Sequence, residues 1–152
     1  MSADGNDLNS GPAISVSNRQ PIPLDELGLV ALALETLRGE GIDDAELSVS
    51  FVGEAEMEDL HVRYMHEPGP TDVLSFPIDD EGESDGHGMR VLGDVVIAPS
   101  VAQRNNPEDL RGELRLLLVH GILHLLGFDH EGDDERVEMW AVQERYSGVK
   151  SP

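Results

Sequence analysis

The chain has 152 residues, 39% of them hydrophobic, which suits one globular domain with its own core. It contains no cysteine, which excludes disulfides and thiolate-bound zinc, so a metal site would have to use His, Asp or Glu. The net charge of −21, from 31 acidic and 10 basic residues, by itself disfavours a nucleic-acid partner, because such binding depends on Lys and Arg.

The compartment and the domain limits follow from the apolar and polar runs. No N-terminal apolar stretch resembles a signal peptide, and the longest apolar run, 116–126, is too short to span a bilayer. We therefore expect a cytoplasmic protein that does not associate with membranes. Residues 1–12 are small and polar without periodicity, which predicts a disordered tail followed by a single domain over 13–150.

The first predicted elements are a strand and a helix. Alternating residues at 13–18 predict the strand, and Pro23 and Asp25 then open a helix that ends near Gly39. The apolar face of this helix is expected to hold Leu24, Leu27, Val30, Ala31, Leu34 and Leu37.

The middle of the chain continues the alternation of strands and helices. Residues 46–52 have a strand pattern, and 54–65 a helical one with acids in its first turn, where they favour the helix dipole. Residues 71–78 predict a third strand, and the polar segment 79–88 predicts an exposed loop.

The last third of the chain is mostly helical after one strand. The branched run 92–98 predicts a central strand, and a short helix is expected at 99–104. A long helix begins after Pro107 and reaches about Leu126, and a last one covers 132–146, with an apolar face of Val137, Trp140, Ala141 and Tyr146. The expected fold is therefore α+β, with about four strands in a mixed sheet and four or five helices.

The segment HGILHLLGFDH, residues 120–130, has the spacing of a metal site. His120 and His124 are four apart, which places both on one face of the predicted helix. Gly127 can end the helix in a left-handed conformation and so let His130 turn back toward them. This is the ligand spacing of a metzincin-like zinc helix, and three histidines with an open fourth position are typical of a catalytic zinc site.

Gly121 stands where a zinc protease carries its catalytic glutamate. That glutamate moves the proton that amide hydrolysis requires, and glycine cannot do so. The pattern therefore favours hydrolysis of something other than a peptide, such as a phosphodiester. A base could come from elsewhere, for example Asp129, Glu131 or Asp94.

Three segments together resemble the YbeY family of bacterial endoribonucleases, also called rRNA maturation factors, in an actinobacterial-like form. They are HGILHLLGFDH (120–130), PTDVLSFP (70–77) and LGDVVIAP (92–99), and residues 131–139 also resemble the C-terminal helix of the family. The resemblance implies one zinc held by His120, His124 and His130, and cleavage of single-stranded RNA. It also implies a role in 16S rRNA 3′-end maturation and ribosome quality control, beside a small-subunit ribosomal protein and an assembly GTPase.

The resemblance implies further site residues and shows one departure. A substrate cleft is expected to be lined by Thr71, Asp72, Ser75, Phe76 and Asp94. Apart from the resemblance, we expect His120 to be catalytic as well, and Asp129, one of the possible bases named above, to be a candidate for moving protons. Many members have an arginine six residues before the Thr, thought to engage RNA phosphate, where this chain has Met65. Arg90 is the candidate replacement.

Two other hypotheses remain open at this stage. The chain could be a zinc hydrolase of a non-RNA substrate, or a non-catalytic ribosome-assembly factor in which zinc only stabilises the fold. Replacing the three histidines distinguishes the non-catalytic assembly factor from the hypotheses in which the protein is an enzyme.

Overall fold

A computed structural model describes residues 11–67, 69, 71–78 and 90–150. Within them the fold is α+β, as predicted, and the described residues form four strands and five helices. The strands are β1 (Ala13–Arg19), β2 (Ala45–Val52), β3 (Val73–Pro77) and β4 (Arg90–Ile97). The helices are α1 (Glu26–Gly39), α2 (Glu54–Met65), α3 (Pro99–Asn105), α4 (Leu110–Leu125) and α5 (Asp133–Ser147).

The four strands form one mixed sheet in the order β1-β2-β4-β3. β1, β2 and β4 run parallel, and β3 pairs antiparallel with β4 at the edge. Leu47, Val49 and Phe51 of β2 are buried at alternate positions, as expected where one face of a strand meets a helical layer. The mixed sheet predicted from the sequence is confirmed.

Helices α1, α4 and α5 cover one face of the sheet and enclose the main core. α4 lies in the middle of this layer, and its Leu118, Ile122 and Leu123 are almost fully buried. A smaller core lies on the other face, where Met57 of α2 packs with Val52, Leu74 and Val96. The sheet is therefore buried on both sides near β3 and β4.

Two helix faces differ from the sequence prediction. Leu27 of α1 is 85% exposed, and the buried side of that helix is formed by Leu29, Leu32, Ala33, Thr36 and Leu37. Val137 of α5 is 69% exposed, and the buried residues of that helix are Met139, Val142, Gln143, Tyr146 and Ser147, of which only Tyr146 was on the predicted face. Leu37 and Tyr146 are buried as predicted. In both helices apolar residues occur on more than one side, so apolar periodicity alone identified only part of each buried face.

Gly93 allows β3 and β4 to approach closely. It lies at an irregularity in the pairing of β2 with β4 and has a φ of +140°, which favours glycine. A Cβ added there would lie 2.2 Å from the carbonyl oxygen of Phe76. The LGDVV and DVLSFP segments thus meet through backbone packing at this glycine.

Two predictions from the sequence concern segments outside these residues. The proposed tail lies there except for Gly11 and Pro12, and the loop predicted at 79–88 lies there entirely. Among the residues that are described, no helix is long and apolar enough to cross a membrane.

Candidate metal centre

The helix that carries two of the histidines ends in a Schellman turn. Asp109 caps its start by accepting a hydrogen bond from the Gly112 N–H at 2.9 Å. At its end, the N–H of Phe128 donates to the Leu123 carbonyl and that of Gly127 to the His124 carbonyl. Gly127 has a φ of +100°, so the helix-ending role predicted for it is confirmed.

This turn brings the third histidine back to the first two. One ring nitrogen from each of His120, His124 and His130 lies within 4.8 Å of the other two. The ring centroids are 4.7 Å apart for His120 and His124, 5.5 Å for His120 and His130, and 5.1 Å for His124 and His130. The three side chains could therefore hold a metal ion, and their neutral imidazoles are suitable ligands.

The surroundings favour the neutral form of two of these rings. Burial lowers the pKa of His120 below its usual value, against a hydrogen bond with Gln143 and the charge of Asp72, which raise it. Burial also lowers the pKa of His124, and the two other histidines lower it further, against the charge of Asp129 and a backbone hydrogen bond with Phe128. A histidine must be unprotonated at the coordinating nitrogen to bind a metal, so both lowered pKa values favour the form of the ring that can be a ligand.

Helix α5 supplies two neighbours of the histidines that the sequence analysis missed. Gln143 is only 3% exposed, and its Oε1 lies 2.8 Å from Nδ1 of His120. The Trp140 ring lies 5.5 Å from that of His130 and 5.9 Å from that of His120, between centroids. Met139, Gln143 and Tyr146 lie on the same buried side of α5. A glutamine at helical spacing between two apolar residues is the sequence signal that could have identified Gln143.

Gly121 has no room for the glutamate of a zinc protease. Its position on α4 faces the sheet, and an added Cβ would lie 2.7 Å from Cγ1 of Val95 and 3.2 Å from Oγ of Ser75. The Ser75 hydroxyl donates to the Gly121 carbonyl at 3.0 Å. The close packing of α4 on β3 and β4 therefore requires a residue without a side chain at position 121.

The edge strand β3 lines a cleft beside the histidines. A cavity of about 320 Å³ is bounded by Met65, Val73, Leu74, Ser75, Pro77, His120 and His124. Met65, at the end of α2, therefore lies at the cleft, where the family arginine was expected. Arg90 is exposed at the first position of β4 and is not among the described residues that line this cavity.

Phe76 and Asp94 lie on the opposite face of the sheet from the histidines. Successive strand residues point to opposite faces, and Ser75 faces α4. Phe76 instead contacts the Tyr64 ring, with centroids 5.4 Å apart, and Asp94 is its partner on β4. Both line a second cavity of about 410 Å³, together with Tyr64. The expected grouping of Ser75, Phe76 and Asp94 in one cleft is corrected accordingly.

Thr71 and Asp72 lead into β3 and are half-buried. The Asp72 carbonyl accepts from the Ala98 N–H at 3.0 Å, and its Oδ2 accepts from Nδ2 of Asn105 at 3.3 Å. The charge of Asp72 also acts on His120 and raises its pKa, so this carboxylate is electrostatically linked to the candidate metal centre.

Asp129 holds the turn between the second and third histidines. Its Oδ1 accepts hydrogen bonds from the backbone N–H groups of His130 at 2.7 Å and Glu131 at 3.2 Å. Its charge raises the pKa of His124, against burial. Asp129 therefore stabilises the turn that brings His130 to the other two histidines.

The fold and the site together define a class of protein: an α+β protein with three clustered histidines, on a helix and the turn after it, two of which line a cleft beside the edge strand. Comparison with known proteins agrees with this class. A family model described as endoribonuclease YbeY matches residues 17–148, and the chain belongs to that family.

Individual relatives support the assignment. An endoribonuclease YbeY of Thermobifida fusca is 48% identical over 142 residues, covering 86% of this chain and 89% of its own. One of Beutenbergia cavernae is 49% identical over 137 residues, covering 86% and 91%. A solution structure of a Thermotoga maritima protein is similar with a TM-score of 0.60 and 29% identity, covering 88% of this chain and 86% of that one.

Proposed function

We propose that this chain is a zinc-dependent endoribonuclease that cleaves single-stranded RNA. Its substrate would be the 3′ end of 16S rRNA, during maturation and ribosome quality control. Family membership supports the nuclease activity, since the relatives are endoribonucleases by name. The ribosomal role rests on the resemblance of the motifs.

The observation that carries the proposal is the combination of the three histidines with the packing at Gly121. The histidine nitrogens lie close enough to share one ion, while Val95 and Ser75 occupy the space that a protease glutamate would need. His120, His124 and His130 would hold the zinc. When bound, zinc supplies a Lewis acid for a phosphodiester and activates water.

The residues of the chain would orient the substrate and the ligands. Ser75 donates its hydroxyl hydrogen to Gly121, so it anchors the strand to the helix. Asp72 and Asp129 are the carboxylates whose charges act on the histidines, and we assign proton transfer to one of them or to a group of the substrate.

Charge pairing on the surface argues for a protein partner in RNA binding. Six of the nine arginines lie within 4.0 Å of a carboxylate, which leaves little cationic charge for phosphate. The acidic surface would instead dock on a basic small-subunit ribosomal protein, with an assembly GTPase nearby. Weak activity on isolated RNA and firm association with small subunits are then expected.

Cleavage of a single-stranded RNA carrying the 16S 3′ end tests the proposal. Protein of known metal content is compared with His124→Ala, and with His66→Ala as a control, because His66 is exposed at the end of α2. Cleavage that requires both His124 and the metal supports a zinc nuclease. Equal cleavage by His124→Ala would show a contaminant and overturn the proposal.

The ribosomal association is tested separately by sedimentation with small subunits at moderate salt. Co-sedimentation of the wild type supports a partner on the subunit, and subunits that pellet without the protein count against it. If His124→Ala also restores ribosome maturation in cells while remaining folded, the protein acts as a non-catalytic assembly factor.

A further inference from the structure

Gln143 is a buried polar side chain directed at the metal centre. Only Thr36, Gln143 and Ser147 are buried polar residues in the part of the chain that is described, and Thr36 satisfies its hydroxyl within its own helix. Burying an amide without hydrogen bonds is costly, so a buried glutamine needs a defined partner. That partner is His120, with Oε1 of Gln143 2.8 Å from its Nδ1.

We propose that Gln143 is a positioning residue that fixes the tautomer and orientation of His120 for metal binding. The inference rests on the proposed metal site. An amide oxygen can only accept a hydrogen bond, so Nδ1 of His120 must carry the hydrogen and donate. In the neutral ring, the lone pair is then on Nε2.

The geometry gives this tautomer a function. A metal ligand must offer its lone pair to the ion, and a ligating histidine commonly donates its other N–H to a fixed acceptor. Gln143 occupies that acceptor position for His120, while a backbone hydrogen bond with Phe128 serves His124. Two of the three proposed ligands are therefore oriented by hydrogen bonds to other parts of the chain.

The support comes from an element outside the ligand segment. Gln143 lies 23 residues after His120, on α5, which packs against α4. The packed pair of helices thus carries both His120 and its hydrogen-bond acceptor. Trp140, one turn earlier on α5, packs against His120 and His130 and narrows the space in which their rings can rotate.

The opposite orientation of the amide makes an opposite prediction. If the amide nitrogen faced Nδ1, it would donate, and the neutral ring would carry its hydrogen on Nε2. That nitrogen could then not bind the ion without losing a proton. The tautomer of His120 therefore decides between the two arrangements, and nitrogen NMR can read it in the metal-free protein.

Three variants separate the positioning role from a structural one. Gln143→Met keeps a similar volume but removes the amide acceptor, and such swaps are tolerated best in a core. Gln143→Glu keeps an oxygen acceptor at the same place. Ser147→Ala, one turn further along the same buried side of α5, is the control for disturbance of the helix.

The experiment combines long-range 15N–1H NMR of the His120 ring in metal-free protein with zinc affinity measured against a competing chelator. We expect Nδ1–H in the wild type, Gln143→Glu and Ser147→Ala. In Gln143→Met we expect the Nε2–H form to gain population and zinc affinity to fall by about 10- to 100-fold, the usual effect of losing such a partner. Thermal unfolding of each variant confirms that it is folded.

Each outcome has a distinct meaning. A folded Gln143→Met with wild-type tautomer and affinity would overturn the role of Gln143 and leave the metal site intact. An Nε2–H tautomer in the wild type would also overturn it. If Gln143→Met does not fold, Gln143→Glu decides, since loss of the Nδ1–H form in that variant contradicts the proposal. A wild type that takes up no metal overturns the proposed function itself.

Discussion

The hydroxyl of Ser75 donates a hydrogen bond to the carbonyl oxygen of Gly121 across 3.0 Å, joining the edge strand to the helix that carries two of the candidate metal ligands. The contact requires α4 to lie close to β3 and β4. This closeness explains why the residue after His120 is a glycine, since a Cβ at Gly121 would lie 2.7 Å from Cγ1 of Val95.

Gly121→Ala should destabilise the protein, although alanine is the better helix former. The gain in helix propensity is about 1 kcal/mol, and overpacking a well-filled core costs about 1–3 kcal/mol. We expect a net loss of up to about 2 kcal/mol in the free energy of unfolding, measured by urea denaturation. In the double variant with Val95→Ala the effects of the two changes should not add, because the valine methyl that obstructs the new Cβ is gone. Additive effects would contradict the close packing.

Gly93→Ala should destabilise the protein more strongly. A positive φ of a non-glycine residue costs about 1–3 kcal/mol, and the new Cβ would also meet the backbone oxygen of Phe76. A loss of about 3 kcal/mol or more in the free energy of unfolding is expected. Gly53→Ser is the matched control, since it adds a side chain in open space at a helix N-cap, where serine is favoured. Similar losses in both variants would refute this reading.

The stability of the metal-free protein should depend on the histidines. Burial lowers the pKa of His120 and His124 in the folded state, so the unfolded chain binds more protons once the pH falls toward about 6.5. Stability is therefore kept above that pH and lost as the pH falls through the lower folded-state values. Urea unfolding from pH 8 to pH 5 in the presence of a chelator measures this. The dependence of the free energy of unfolding on pH should be weaker in the double variant His120→Gln/His124→Gln than in the wild type. If the free energy of unfolding of the double variant depends on pH as strongly as that of the wild type, other groups cause the pH dependence.

Binding of single-stranded RNA should depend only weakly on salt. Most arginines are paired with carboxylates, so few phosphates can be neutralised. With about two such contacts, affinity would fall less than about tenfold between 50 and 200 mM salt, against roughly 10³–10⁵ for six to ten contacts on duplex DNA. Fluorescence anisotropy with His124→Ala, which we expect to be inactive, measures the slope. A steep slope would reveal a cationic surface made by Arg90 and other arginines.

The helices, the strands and the grouping of the three histidines could be predicted because their signals are local. His120, His124 and His130 lie within eleven residues, and helix geometry together with Gly127 determines how they meet. Gln143 could not be predicted in the same way, because its contact with His120 depends on how α5 packs against α4. The alternation of strand residues could have separated Ser75 from Phe76, but the motif that contains both gives no indication of which face the histidines occupy.

The same local arrangement has a consequence for thermodynamic linkage. A ligand stabilises a fold only to the extent that it prefers the native chain over the denatured one. Since the three imidazoles are so near in sequence, we expect the denatured chain to chelate the proposed zinc ion as well, although without the acceptor on α5. Added zinc should therefore raise the melting temperature by less than its affinity for the native protein implies. The difference between the expected and the observed increase measures how tightly the denatured segment binds zinc.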